Sequence, residues 1–204
     1  MKIERINLYN HLLFSKEVLN QHGAYLIDDK YPCQFTIVSK DSAIVTYHDY
    51  DNIEEIIDKF RFYAYHITKF YNLNNELIKQ FEDVPLKLVN INKLQPSQFY
   101  VDEEKLQAIS SWAKTKEHFI IPIHIHKDDI IILDGHTRLY LANLIGLTEV
   151  YVYEDETDDY IYSFVSEAKK RNIYSINDLS LVSHEGYIKK WHDYCDEFFR
   201  TNKI

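Results

Sequence analysis

The chain has 204 residues, 46% of them hydrophobic and 15% aromatic, with 17 tyrosines and a formal net charge of −9. That length holds one compact domain or two small lobes, and the aromatic content is well above that of a disordered chain. The acidic balance argues against a protein that grips nucleic-acid backbone, because such a protein needs a basic face.

Residues 7–21 carry Leu8, Leu12, Leu13, Val18 and Leu19 among polar neighbours. This is a helical spacing that breaks near Ser15 and stops at Gly23. Gln34–Val38 and Ala43–Tyr47 are expected as short strands joined by a hairpin turn at Ser39-Lys40-Asp41-Ser42. From Asn52, the residues Ile53, Ile56, Ile57, Phe60, Tyr63, Ala64, Ile67, Phe70 and Tyr71 recur every three or four positions. That pattern reads as one long amphipathic helix, with Glu54, Glu55, Asp58, Lys59 and Lys69 on its wet side. Leu77, Ile78 and Phe81 fit its continuation. His22, His48 and His66 are dispersed and read as structural or surface side chains. Val84-Pro85 marks a boundary, so residues 1–84 form an N-terminal α/β lobe in which nothing looks catalytic.

Leu86–Val89 alternates as a strand, and Lys93-Leu94-Gln95-Pro96-Ser97-Gln98 is a turn. Asp102-Glu103-Glu104-Lys105 opens a helix with negative charge at its positive dipole end, and Leu106, Ile109 and Trp112 make its apolar face. Ile120–His126 is a strand that Lys127-Asp128-Asp129 turns into Ile130–Leu133. The chain then reaches Asp134-Gly135-His136-Thr137-Arg138, followed by Leu139, Ala142 and Ile145 on one helical stripe. Gly135 and Gly146 bracket that helix. The first lets backbone approach a ligand closely, and the second supplies a left-handed cap. Unpaired N–H groups at a glycine turn, with Thr137 and Arg138 in the first turn, are the physical recipe for an anion site. An ordinary capped strand–helix unit gives the same pattern. Thr148–Tyr153 returns to strand, which makes residues 85–155 mixed α/β within an α+β chain.

The acidic run Glu154–Asp159 reads as a solvated loop. Tyr160–Arg171 is helical, Ser175–Leu179 is a short turn or helix, and Ser183 caps a final helix bearing Tyr187, Ile188, Trp191, Cys195, Phe198 and Phe199. That stripe is too apolar to hang free. Residues 156–204 are therefore expected to pack as a helical extension on the core, or to form a homodimer through the C-terminal helix. Cys33 and Cys195 lack metal-ligand spacing and read as reduced thiols. No leader stands at Met1-Lys2-Ile3-Glu4 and no apolar run approaches a membrane span, so a cytoplasmic protein without membrane contact is expected. His124 and His126 share one face of a strand, and His136 lies at the following turn beside Asp134. Three imidazoles and a carboxylate suit a divalent metal. A polar strand face opposite Ile121, Ile123 and Ile125 explains the pair more simply, and no metal ligand is assigned.

Residues 86–153 resemble the ParB N-terminal/sulfiredoxin-like superfamily. The likeness is carried by the Lys93–Gln98 turn, the helix Asp102–Trp112, Ile121-Pro122-Ile123, Leu133–Leu139, and the closing Gly146–Val152. The flanks resemble those of a bacterial branch with the same core. The resemblance implies a ParB/sulfiredoxin-like core and a phosphate-binding turn at Gly135-His136-Thr137-Arg138. The chromosome-partitioning members bind and hydrolyse CTP there and continue into a helix–turn–helix, whose signature is absent from residues 156–204. Sulfiredoxin places its nucleophilic cysteine where His136 stands, so thiolate chemistry is not implied here.

The nearest motif is the Asp-Gly-His-His-Arg of the free-serine kinases, matched at Asp134, Gly135, His136 and Arg138, with Thr137 in place of the second histidine. By that resemblance Gly135, His136, Thr137 and Arg138 hold the phosphates of ATP, ADP or CTP with Mg2+. Asp134 orients an acceptor hydroxyl or the magnesium, so Asp134 and His136 are the catalytic candidates. Those kinases carry a glutamate base where this chain has Gln98. Gln98 stays among the nucleotide-contacting candidates but cannot accept a proton at neutral pH. Asp102 or Glu103 substitutes only if the loop folds back. The expectation is a nucleotide- or phosphate-binding protein, in its fullest form a phosphotransferase on a small metabolite such as a free amino acid. The alternatives are a DNA-associated ParB-like protein or nuclease, and a non-enzymatic ligand-binding or interaction module.

Overall fold

The computed structural model describes residues 1–49 and 52–202. Helices and mixed sheets make the protein α+β, and the chain divides into two units, Met1–Pro85 and Leu86–Ile204.

The first unit runs β1 (Ile3–Arg5), α1 (Lys16–Asn20), β2 (Ala24–Ile27), β3 (Tyr31–Ile37), β4 (Ser42–Thr46), α2 (Ile53–Arg61), β5 (Lys69–Tyr71) and β6 (Leu77–Gln80). Its six strands form one sheet in sequence order. β1 to β4 are an antiparallel meander; α2 then carries the chain to β5, which lies parallel to β4, and β6 returns antiparallel. Strand alternation decides the faces. Tyr25, Ile27, Cys33, Phe35, Ala43, Val45 and Phe70 bury against Ile53, Ile56, Ile57 and Phe60 of α2, with the Phe35 and Phe60 rings stacked at 4.3 Å. Ala24 and Leu26 point the other way and meet Phe14, Val18 and Leu19 around α1.

The helix expected from Asn52 through Tyr71 ends at Arg61. Its apolar spacing continues, but Phe62 and Tyr63 turn to solvent while Ile67 and Phe70 enter the core from a turn and a strand. The β-branched and aromatic run 65–71 suits extended backbone, and β4 gains a hydrogen-bonded neighbour in β5. Leu77 and Ile78 likewise form β6 and do not prolong a helix. The helix expected over 7–21 shrinks to Lys16–Asn20, started by Ser15, whose hydroxyl accepts the Val18 N–H at 3.3 Å. Leu8 and Leu12 upstream of it are exposed.

The second unit runs β7 (Lys87–Asn90), β8 (Leu94–Gln95), β9 (Tyr100–Asp102), α3 (Glu103–Ser110), β10 (Ile120–His126), β11 (Asp129–Ile132), α4 (His136–Leu144), β12 (Glu149–Glu154), α5 (Tyr160–Lys170), β13 (Ser180–Val182), α6 (His184–Tyr187) and α7 (Asp193–Asn202). Five strands make a mixed sheet of order β7-β12-β10-β11-β8, and β9 pairs parallel with β13. Ile121, Ile123 and Ile132 face Val101 of β9, Ile109 of α3 and Leu139 and Ala142 of α4. The opposite face of β11, with Ile131 and Leu133, meets Ile161, Phe164 and Val165 of α5. The aromatic stripe of the last helical segment packs inside this unit, with Phe198 4.7 Å from Phe164 and Trp191 5.0 Å from Phe99. One turn of π-helix, Ile188–His192, joins α6 to α7. No helix among the described residues is long and apolar enough to cross a membrane.

Candidate functional site

At the end of β11 the Leu133 N–H bonds the Pro122 carbonyl of the neighbouring β10 at 3.0 Å. Gly135 then takes φ +85° and starts α4 as its N-cap, while Gly146 stands at φ +83° just beyond the helix. The Leu139 N–H closes the first turn on the Gly135 carbonyl at 2.8 Å. Backbone N–H groups in the first turn of such a helix have no intrahelical acceptor, and the macrodipole adds positive potential at the same place.

Arg138 folds back over the turn it follows. Its Nη1 donates to the Ile120 carbonyl at 3.1 Å and its Nη2 to Asp134 Oδ2 at 3.0 Å. The guanidinium thus ties β10, the turn and α4 together, and the side chain keeps only 19% of its exposure, against 74% for Asp134. For the Asp134 carboxyl, loss of water to neighbouring protein atoms pushes the pKa upward. The Arg138 charge and the Gly135 N–H outweigh that push and hold it below the usual carboxylate range.

His136 faces inward. Its Nε2 accepts the Ser97 N–H at 3.1 Å, and the Ser97 hydroxyl donates to the Ile132 carbonyl at 2.7 Å. An accepting Nε2 leaves the ring proton on Nδ1. Burial pushes the imidazole pKa down to about 4, against a smaller upward pull from Asp134. At neutral pH His136 therefore positions the turn and adds no charge to it. Thr137, also buried, has no side-chain hydrogen bond among the described residues. The 93–98 turn and the 134–138 turn thus sit side by side, joined through Ser97 and His136.

Gln98 is spent locally, since its Nε2 donates to the Tyr100 carbonyl. Asp102 is fully buried: it caps α3 by accepting the Glu104 N–H at 2.9 Å and pairs with His184 Nδ1 at 2.8 Å. Glu103 is exposed on the first turn of α3. Neither acid is hydrogen-bonded to the Gly135 turn among the described residues.

The three histidines do not gather. His124 bonds the Asp155 carbonyl at 3.2 Å and the Tyr162 hydroxyl at 3.1 Å, and His126 lies against the Tyr162 ring at 4.1 Å. Both look toward α5, whereas His136 begins α4, whose Leu139 and Ala142 join the core on the Ile121 and Ile123 side. Among the described residues no three His, Cys, Asp or Glu side chains group as a cation site. Cys33 is buried in the first unit, and burial pushes its thiol well up; that of Cys195 rises to about 11.

Three contributors were not singled out by residue type: Ser97, the Ile120 carbonyl, and Gln95, whose Nε2 donates to the Pro96 and Ile173 carbonyls at 2.8 and 3.1 Å. A small hydroxyl residue directly after Pro96 was the available signal for Ser97.

The His136 environment makes stability depend on pH. The folded pKa lies near 4 and the unfolded one near 6.5, so between them the unfolded chain binds a proton that the folded chain refuses. The contribution is undiminished above pH 6.5 and fades as pH falls toward 4, by about 2 kcal/mol at pH 5. Urea unfolding at pH 7.5 and 5 is expected to show a shallower loss for His136→Gln than for wild type. Parallel losses would exclude this imidazole as the source.

No family model matches the chain, and no curated protein matches it. Among solved structures, the crystal structure of protein Atu1540 from Agrobacterium tumefaciens is similar at 21% identity with a TM-score of 0.35. That alignment covers 48% of this chain and 63% of the other, so it spans less than two thirds of the matched protein. The likeness is too slight to carry a fold or a function across.

Proposed function

We propose that the Gly135 turn is a phosphate site for a nucleotide, within a ParB/sulfiredoxin-like core spanning residues 86–153. The observation that carries this reading is the left-handed Gly135 at the start of α4, with a guanidinium held across it and the 93–98 turn locked beside it through Ser97 and His136. Such a turn offers N–H donors whose orientation is set before the ligand arrives. The donor set fits a phosphate: first-turn N–H groups, the Arg138 guanidinium, and the Thr137 hydroxyl in the same turn. A magnesium ion would arrive with the nucleotide, since Mg2+ keeps most of its waters and needs only one or two carboxylates beside the phosphates. Asp134, exposed at the mouth of the turn, is the carboxylate that would meet it.

Binding without group transfer has better support than a phosphotransferase. Gln98 cannot take a proton, and Asp102 is committed to α3 and His184. A DNA-associated role is opposed by the net charge of −9.

The test is a thermal-shift panel of ATP, ADP, CTP and GTP, with and without Mg2+ and free amino acids. A ligand at about 100 times its Kd adds about 2.7 kcal/mol, which moves Tm by several degrees. Arg138→Ala is expected to lose that shift. If no nucleotide stabilises the wild type, the reading fails. ADP formation from ATP in the presence of a free amino acid would restore the phosphotransferase, and tight salt-sensitive binding in a DNA gel shift would favour the DNA role.

A further inference from the structure

The first unit holds a groove of about 440 Å³ between strand β1 and helix α2, lined by Ile3, Arg5, Tyr25, Glu55, Lys59 and Tyr63 among others. β1 ends the sheet, so among the described residues one of its sides has no strand partner. The Asp28 N–H bonds the Lys2 carbonyl and the Ile6 N–H bonds the Ala24 carbonyl, each at 2.9 Å. Antiparallel alternation therefore turns the N–H and C=O groups of Ile3 and Arg5 away from β2, toward the open edge. The Arg5 side chain is held in place: its Nε donates to the His22 carbonyl at 3.4 Å, and its guanidinium lies 3.8 Å from the Tyr63 ring centre. Its two terminal amino groups have no protein acceptor among the described residues. Phe62, 80% exposed, adds an apolar wall at the same end. Glu55 and Asp58 line the groove farther back along α2.

We propose that an extended peptide adds to β1 as a further strand, placing a carboxylate on Arg5, apolar side chains on Phe62 and Tyr63, and a basic residue toward Glu55 and Asp58. The open backbone edge selects a peptide, because a free amino acid or nucleotide cannot continue a ladder. Arg5 and Lys59 are balanced by Glu55 and Asp58, so the groove offers no excess positive charge for a polyanion. It suits instead a segment carrying both signs, with the forked donors of Arg5 matching a carboxylate.

The test uses the whole chain and a panel of fluorescein-labelled hexapeptides of alternating β-branched residues, with one Asp and one Lys moved through the positions, read by fluorescence polarisation. Peptides with acid and base at opposite ends are expected to bind in one orientation and to lose affinity when the two charges are exchanged. Arg5→Gln is expected to weaken binding about tenfold or more. Ile3→Pro removes an outward N–H but no bond to β2, and is expected to abolish binding. If Ile3→Pro loses its fold, shifts of the Ile3 and Arg5 amide signals on adding peptide to the wild type carry the same test. Binding of no peptide, binding indifferent to Ile3→Pro with unmoved amide signals, or equal binding of free amino acids overturns the proposal.

Discussion

Gly23→Ala is expected to unfold the first unit. A Cβ at Gly23 would lie 1.9 Å from the Phe35 carbonyl oxygen and 3.0 Å from the carbonyl carbon. The obstacle is backbone, so no side-chain rotation relieves it. The residue is also bonded on both sides, its N–H to the Val18 carbonyl at 2.9 Å and its carbonyl to the Phe35 N–H at 2.8 Å. Making room means parting β2 from β3 next to the Ala24–Gln34 pair, or lifting the end of α1. The first opens the layer of Tyr25, Phe35 and Phe60, and the second strips Val18 and Leu19 from Ala24. Either loss is on the order of 4 kcal/mol or more, most of the 5–15 kcal/mol that holds a typical domain. Urea unfolding should show the transition shifted to very low denaturant or absent. A midpoint close to wild type would mean that the two segments separate cheaply.

Gly135→Ala is expected to cost about 2–5 kcal/mol and to remove the nucleotide response. An L side chain at φ +85° carries about 1–2 kcal/mol of backbone strain. The new Cβ would lie 2.9 Å from Ile121 Cδ1 and 3.0 Å from Arg138 Nη2, and overpacking of that kind adds about 1–3 kcal/mol. These neighbours are side-chain ends and can give way. When Arg138 gives way, however, its bonds to the Ile120 carbonyl and Asp134 are lost. Stability and ligand response should therefore fall together, measured by urea unfolding and by thermal shift with the nucleotide panel. Arg138→Ala should remove the ligand response with a smaller stability cost. A Gly135→Ala protein with wild-type stability would show that the turn is looser than its geometry implies.

Much of the second unit was legible because its elements are whole units of burial. The strand Ile120–His126 was legible from its β-branched run, and Ile121 and Ile123 are buried as expected, but Ile120 and Pro122 are buried as well. Ile125, expected beside Ile121 and Ile123, is exposed beyond the core, while His124 and His126 are half-buried against Tyr162. Asp102 before an acidic first turn, and Ser183 before the last helical segment, are caps the structure uses as such. Gly146 takes the left-handed backbone expected of it after α4, and Gly135, read as a point of close backbone approach, takes it too. The first unit was less legible. A spacing of three and four residues from Ile53 to Tyr71 is satisfied by a long helix, and equally by a short helix, a turn and an inward-facing strand. Periodicity counts apolar positions and does not record which partner covers them. β4 in fact lies between β3 and a distant strand.

The sequence by itself determined the α+β class, the glycine turn between β11 and α4, and the residue types that gather there. These follow from local chemistry: backbone reach at glycine, capping by short polar side chains, and the two periods of burial. Only the tertiary structure decided what those side chains do. It turns His136 inward to accept the N–H of Ser97, in a setting dry enough to keep the ring neutral. It aims Arg138 across Gly135 to a carbonyl of β10, commits Asp102 to His184, and parts His124 and His126 from His136. Each of these outcomes depends on contacts between segments far apart in the chain. A charge or a ring nitrogen acquires its role from the solvent it loses and the partner it meets, and only the folded arrangement specifies either.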